Sequence, residues 1–189
     1  MASFFFANHF ILCYSRTITK EGALPLKTLI LYATKTGTTK KCAALLAANL
    51  GADSCELWDL ADGVPELSGY DALALGSYLR MGVIDKRLAA FLEKQKDEIL
   101  EKPFGLFLCG CVEEKVSEAI VKNFKEEFLE KALCVDFFGG ELSPEKCKGA
   151  EKLIVRALHQ IARKDANFVL AEKIRPEVIT SFAEELKKA

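Results

Sequence analysis

The residues best suited to chemistry lie in Leu29-Ile30-Leu31-Tyr32-Ala33-Thr34-Lys35-Thr36-Gly37-Thr38-Thr39-Lys40. An apolar strand runs straight into a loop of four hydroxyls and one glycine, and that loop opens a helix. The hydroxyls of Thr34, Thr36, Thr38 and Thr39, with the loop N–H groups, can surround a phosphate. The helix behind them aims its positive dipole end at the same point. Gly37 permits a backbone conformation that a side chain would hinder. An ordinary helix N-cap cluster is the competing explanation for these threonines. The triphosphate loop G-x-x-x-x-G-K-[ST] and the dinucleotide fingerprint G-x-G-x-x-G are both absent from the sequence. A hydroxyl loop without a lysine-capped glycine pair suits a terminal monoester phosphate, which offers several acceptor oxygens to one cluster of donors.

The elements that must position this loop are legible as an alternation. Short apolar runs at 26–32, 54–59, 71–77, 104–109 and 133–139 read as strands. The first, third and fourth are apolar nearly throughout, as strands of a parallel sheet are when both faces are covered. Helices are expected at 38–50, 84–101, 113–131, 145–164 and 176–187, the last opened by Pro176. Five strands alternating with helices predict an α/β open parallel sheet of order 2-1-3-4-5 with helices on both faces. Its switch point falls between strands one and three. A ligand should therefore sit over Thr34–Thr39 and the turn Ser77-Tyr78-Leu79-Arg80-Met81-Gly82.

Composition bounds the remainder. The 189 residues, 50% of them hydrophobic, can bury one core, read as a single domain over 24–189 behind an extension at 1–23. A net charge of −1 provides no basic field for nucleic acid. Seven scattered cysteines fit buried thiols in a reducing cytosol, and the two histidines, His9 and His159, sit at no metal-ligand spacing. The extension contains the apolar run Phe4–Tyr14, about half the ~20 residues a membrane span needs, without the flanks of a secretory signal. It reads either as a segment that packs on the domain or frays, or as an interfacial anchor or oligomer contact. Helix 145–164 is basic and amphipathic. It either packs on its own sheet or makes peripheral contact with the inner face of a membrane.

Thr34-Lys35-Thr36-Gly37-Thr38-Thr39 after an LILYA strand resembles the flavodoxin phosphate loop in its T-x-T-G-x-T form, which implies FMN as cofactor. The stretch Tyr70–Gly82 is similar to that of the flavodoxin-type, menaquinone-dependent protoporphyrinogen oxidases. Ala89-Ala90-Phe91, Phe138-Gly139-Gly140-Glu141-Leu142, helix 145–164 and Ser181-Phe182-Ala183-Glu184-Glu185 match in order and spacing. The resemblance spans about residues 26–187. It implies that Thr34–Thr39 hold the phosphate and that Ser77, Tyr78, Leu79, Arg80, Met81 and Gly82 flank the isoalloxazine. Tyr78 is then the stacking residue, although a half-buried strand-end aromatic has the same signature. Cys109-Gly110-Cys111-Val112 would contact the pyrimidine edge through the backbone. A C-x-C disulfide there is disfavoured by ring strain. Two features depart from those oxidases: residues 112–133 form a charged helical stretch instead of a long basic insert, and Met81 stands where an aromatic would cover the flavin.

The resemblance thus implies an FMN-dependent oxidoreductase, protoporphyrinogen-oxidase-like, with a quinone or a redox protein as acceptor and no acid–base pair of its own. A small electron-transfer flavodoxin is the alternative, although such carriers are usually strongly acidic so as to steer onto basic partners. A regulatory module that keeps the pocket without catalysis is the third reading.

Overall fold

The computed structural model describes residues 26–141, 149–164 and 173–189. The extension at 1–23, the start of the helix expected from 145, Leu142, Cys13 and Cys147 lie outside the described residues. Five parallel strands form one sheet in the order β2-β1-β3-β4-β5. They are β1 (Thr28–Ala33), β2 (Cys55–Asp59), β3 (Ala72–Tyr78), β4 (Phe104–Cys109) and β5 (Cys134–Phe137). β1 sits between β2 and β3, with Ile30 opposite Leu57 on one side and Ala74 on the other. This is the order that the alternation of elements predicts.

The strands alternate their side chains between two cores. Leu29, Leu31, Leu73, Leu75, Phe104, Leu106 and Leu108 face one layer of helices. That layer comprises α2 (Lys86–Lys94), α3 (Lys96–Leu100), α4 (Val116–Asn123) and α5 (Glu126–Lys131), which contribute Leu88, Phe91, Ile99, Val116 and Phe128. Ile30, Tyr32, Ala74, Phe107 and Cys109 face α1 (Thr38–Leu50) and α7 (Pro176–Leu186). A further helix, α6 (Ala150–Lys164), lies between β5 and α7 in the chain.

Three expected boundaries shift for local reasons. The helix expected over 84–101 begins only at Lys86, because the Asp85 carboxylate accepts the Arg87 N–H and caps it there. It breaks at Gln95, whose backbone leaves the helical region at φ −106° and ψ 17°. The helix expected over 113–131 is a short 3-10 turn followed by α4 and α5. Phe124 adopts an extended backbone and inserts its ring into the core, 3% exposed, between them. The last strand ends at Phe137, because Gly139 turns at φ 75° and makes an antiparallel bridge to Ile174. A return of the chain 35 positions on cannot be read from a strand's own pattern.

Two strand glycines make room for rings. A Cβ on Gly76 would overlap the Phe107 ring, and one on Gly105 would crowd Phe182. Phe107 stacks on Phe138 at 4.7 Å between centroids, and Phe182 meets Phe138 edge-on at 5.1 Å. Overpacking a filled core costs about 1–3 kcal/mol. Gly76→Ala should therefore lower the free energy of unfolding by that amount, seen as a lower urea midpoint, and an unchanged midpoint would show that the ring has room to move.

Candidate functional site

Three loops leave the carboxyl ends of β1, β3 and β4 and meet at the switch point. The first is Thr34–Gly37. Thr34 Oγ1 accepts the Gly37 N–H at 3.1 Å, and Gly37, at φ 89°, forms the left-handed cap of α1. No side chain caps α1 and no acid occupies its first turn, so its leading N–H groups and dipole are open to an anion. Thr38 and Thr39 are buried at 8% and 1% exposure, while Lys35 and Thr36 face solvent. Thr39 Oγ1 is buried without a hydrogen-bond partner; the Cys109 thiol is its neighbour, but not in hydrogen-bonding geometry. A buried hydroxyl left unpaired costs about 1–3 kcal/mol, which a bound oxyanion would remove. The cradle thus fits a phosphate. Lys41 turns away from it to pair with Glu141 at 2.8 Å.

The second loop is a rigid hairpin. Arg80 and Val83 exchange backbone hydrogen bonds of 2.9 and 3.1 Å around Met81 (φ 53°) and Gly82 (φ 75°), a two-residue turn with both central residues in the left-handed region. Met81 stands 91% exposed at its tip. Asn123, at the end of α4, pins the turn by donating to Gly82 O at 2.8 Å and accepting from Ile84 N at 3.1 Å. Ser77 is wholly buried. Its hydroxyl donates to Tyr78 O and accepts from Asp85 N at 2.9 Å, so it braces the loop from within.

Below this hairpin lies a charge cluster. Arg87 clasps Asp85 with Nε and Nη2, each at 2.9 Å, reaches Thr34 O at 3.2 Å and lies 3.8 Å from Asp59. The Tyr78 phenol lies beside Asp85. Burial pushes that phenol's pKa up, and the Asp85 carboxylate adds to the rise. The Arg87 hydrogen bonds hold Asp85 down at about 2.

The third loop is held by close backbone contacts. Leu79 N donates to Cys109 O at 2.6 Å, and Gly110 N donates to Gly139 O at 3.0 Å. A Cβ on Gly140 would strike the Gly110 backbone. Arg175 lies over the Phe137 ring at 5.6 Å and pairs with Glu113, fastening the outer end of the loop. The Cys109 carbonyl and Gly110 N–H are therefore engaged within the protein, which leaves Cys111 and Val112 as the outer part of the segment. No C-x-C disulfide joins Cys109 to Cys111. Burial pushes the Cys109 thiol well up, and neighbouring Cys42 raises it further.

All three segments singled out in the sequence thus converge, while Asp85, Arg87, Asn123 and Arg175 escaped notice, and Gly140 was noted only as part of a matching strand end. Only Asp85 had a local signal, an aspartate just ahead of a helix. The others act through distant partners: Arg87 on Thr34, Asn123 on Gly82, Arg175 on Glu113 and Gly140 against the Gly110 backbone. Trp58 donates to Gly63 O at 3.0 Å and packs against the core, away from the switch point.

An all-parallel sheet of this order, with an open helix N-terminus at its switch point, defines a doubly wound α/β domain built to hold a phosphate-bearing ligand. A family model described as "Flavodoxin domain" matches residues 29–168, and the chain belongs to that family. Among solved structures, it is similar to a Fusobacterium nucleatum flavodoxin bound to flavin mononucleotide at 16% identity and TM-score 0.52, covering 85% of this chain and 96% of that one. Oxidised flavodoxin 1 from Bacillus cereus matches at 20% identity and TM-score 0.52, covering 85% and 97%. Rubredoxin oxygen:oxidoreductase from Desulfovibrio gigas matches at 14% identity and TM-score 0.50; the alignment covers 86% of this chain but only 37% of that one. No curated protein is similar enough in sequence to match.

The depressed pKa of Asp85 fixes the sign of a pH effect. Its carboxylate stabilises the fold fully above about pH 4, and that contribution is lost as pH falls towards 2. With its pKa near 2 against an ordinary 3.8, Asp85 contributes about 2 kcal/mol at neutral pH. Asp85→Asn should lose about that much stability at pH 7 and flatten the acid limb of the denaturation profile.

Proposed function

We propose that this chain binds FMN and works as a flavin-dependent oxidoreductase. The observation that carries the reading is the buried, unpartnered Thr39 hydroxyl at the uncapped N-terminus of α1. Thr34, Lys35, Thr36, Gly37, Thr38 and Thr39 would enclose the phosphate. Thr34 would donate its hydroxyl hydrogen while still accepting from Gly37. Ser77 through Gly82 would flank the isoalloxazine, with Tyr78, Leu79, Arg80, Met81 and Gly82 at the ring and Ser77 as an internal brace. Cys111 and Val112 would meet the pyrimidine edge, with Cys109 and Gly110 fixing their position. Bound flavin supplies hydride and electron acceptance; the protein orients the ring and controls its access to water. Purified protein should be yellow or take up added FMN with a change in its absorbance spectrum. Thr36→Ala combined with Thr39→Ala should weaken FMN binding, each lost charge-assisted bond being worth about 1.5–3 kcal/mol. Unchanged affinity would place the phosphate elsewhere.

The acceptor reading is a quinone at a membrane surface, with protoporphyrinogen-like substrates. Its supports are the resemblance of Tyr70–Gly82 to the quinone-linked oxidases and the outer face of α6. On α6, Leu153 and Ile161 are 66% and 46% exposed, with Ala157 exposed between them and Arg156, Arg163 and Lys164 alongside. Apolar residues at four-residue spacing with flanking cations suit an anionic bilayer surface. Among the described residues no helix is long and apolar enough to cross a membrane. The competing reading is an electron carrier without its own substrate; the Fusobacterium and Bacillus neighbours are flavodoxins. Menaquinone-dependent oxidation of protoporphyrinogen by the FMN-loaded protein supports the enzyme, and absence of turnover with any quinone leaves the carrier. Sedimentation with phosphatidylglycerol vesicles should fall on Leu153→Glu with Ile161→Glu; equal sedimentation would remove α6 as the contact.

A further inference from the structure

We infer that Arg87 is a positioning residue that joins the two halves of the site, holding the phosphate loop from the loop that would carry the flavin ring. The inference rests on the FMN reading for its binding readout and on geometry alone for its mechanical one. Every direction of the guanidinium is used. Nε and Nη2 fork onto Asp85 at 2.9 Å each, Nη2 reaches the Thr34 carbonyl at 3.2 Å, and Nη1 faces Asp59 at 3.8 Å. Its charge is spent on two carboxylates, so it is not offered to a phosphate as a counter-ion. What it provides is placement.

Thr34 is where that placement acts. Its carbonyl takes the Arg87 bond, and its hydroxyl takes the Gly37 N–H that sets the left-handed cap of α1. Fixing Thr34 therefore fixes the start of α1, where the leading N–H groups point. At the other end, Asp85 is fastened to the ring loop independently of the guanidinium. Its carboxylate accepts the Arg87 backbone N–H at 2.8 Å and sits beside the Tyr78 phenol, while its own N–H goes to Ser77 Oγ at 2.9 Å. Loss of the guanidinium thus frees the phosphate loop but leaves the ring loop anchored. A lysine keeps the charge yet lacks the planar fork that spans Asp85 and Thr34 together.

Arg87→Gln and Arg87→Lys should each weaken FMN binding by about tenfold or more, the value of one bond to a charged group. Riboflavin, which lacks the phosphate, should bind within about twofold of wild type in the same variants. Lys86→Ala, one position away and exposed, should change neither. In the ligand-free protein, amide exchange at Gly37 should accelerate in both Arg87 variants while exchange at Asp85 holds, with circular dichroism confirming the fold. Equal losses for FMN and riboflavin would overturn the inference, as would full rescue by lysine or unchanged Gly37 exchange. If wild type binds no FMN, the proposed function fails, and the exchange result still decides whether Arg87 holds the loop.

Discussion

The pairing of β1 with β3 is the constraint on which the rest depends. Six residues of β1 run in parallel register against β3, from Thr28 opposite Ala72 to Ala33 opposite Ser77, while β2 takes the other edge of β1. Parallel neighbours cannot be joined by tight turns, so the chain must cross over through helices, and the direction of those crossings reverses at β1. The first helix goes to one side of the sheet and the helices after β3 to the other. A cleft at the carboxyl ends of β1 and β3 follows from that reversal. The sheet order brings the open N-terminus of α1 and the Met81–Gly82 hairpin to the same end of the sheet, where Arg87 bridges Thr34 and Asp85.

Within the cleft, the electrostatics are divided between unlike regions. The phosphate side is free of acids and donor-rich: Lys35 in the loop, a helix start without acids, a left-handed glycine cap and a buried hydroxyl with no partner. The ring side is charged but internally compensated, with Asp85 and Asp59 both facing Arg87. An ionised Asp85 at 7% side-chain exposure is tolerable only because the guanidinium and the Arg87 backbone N–H satisfy it. Placing the charges under the ring loop and leaving bare N–H groups under the phosphate loop keeps the carboxylates from repelling an anionic ligand at close range. The third loop is governed by sterics, since Gly140 admits the Gly110 backbone and Phe137, beneath Arg175, closes the edge.

The sequence made the sheet order and the three converging loops legible because each rests on local pattern. Apolar runs mark buried parallel strands, Gly37 marks a left-handed cap, and the threonines mark a helix start. The breaks at Gln95 and Phe124 were not legible, because an apolar stripe of helical period continues across both and only tertiary packing decides that Phe124 turns inwards. Likewise, the bond from Asp85 N to the Ser77 hydroxyl and the engagement of Cys109 O and Gly110 N were not legible, because Asp85, Leu79 and Gly139 meet them only in the fold. Asn123 and Arg87 were missed for the same reason. Their roles consist of bonds to carbonyls and amides distant in the chain, and a one-dimensional pattern has no term for them.

The central claim is that the uncapped start of α1, with Thr39 at its base, is the seat of a phosphate monoester. A crystal structure of the protein with FMN tests it most directly. The phosphorus should lie over the N–H groups of residues 36–39, with a phosphate oxygen within hydrogen-bonding distance of Thr39 Oγ1. A phosphate bound elsewhere, or a flavin bound with Thr39 Oγ1 still unpartnered, would contradict it.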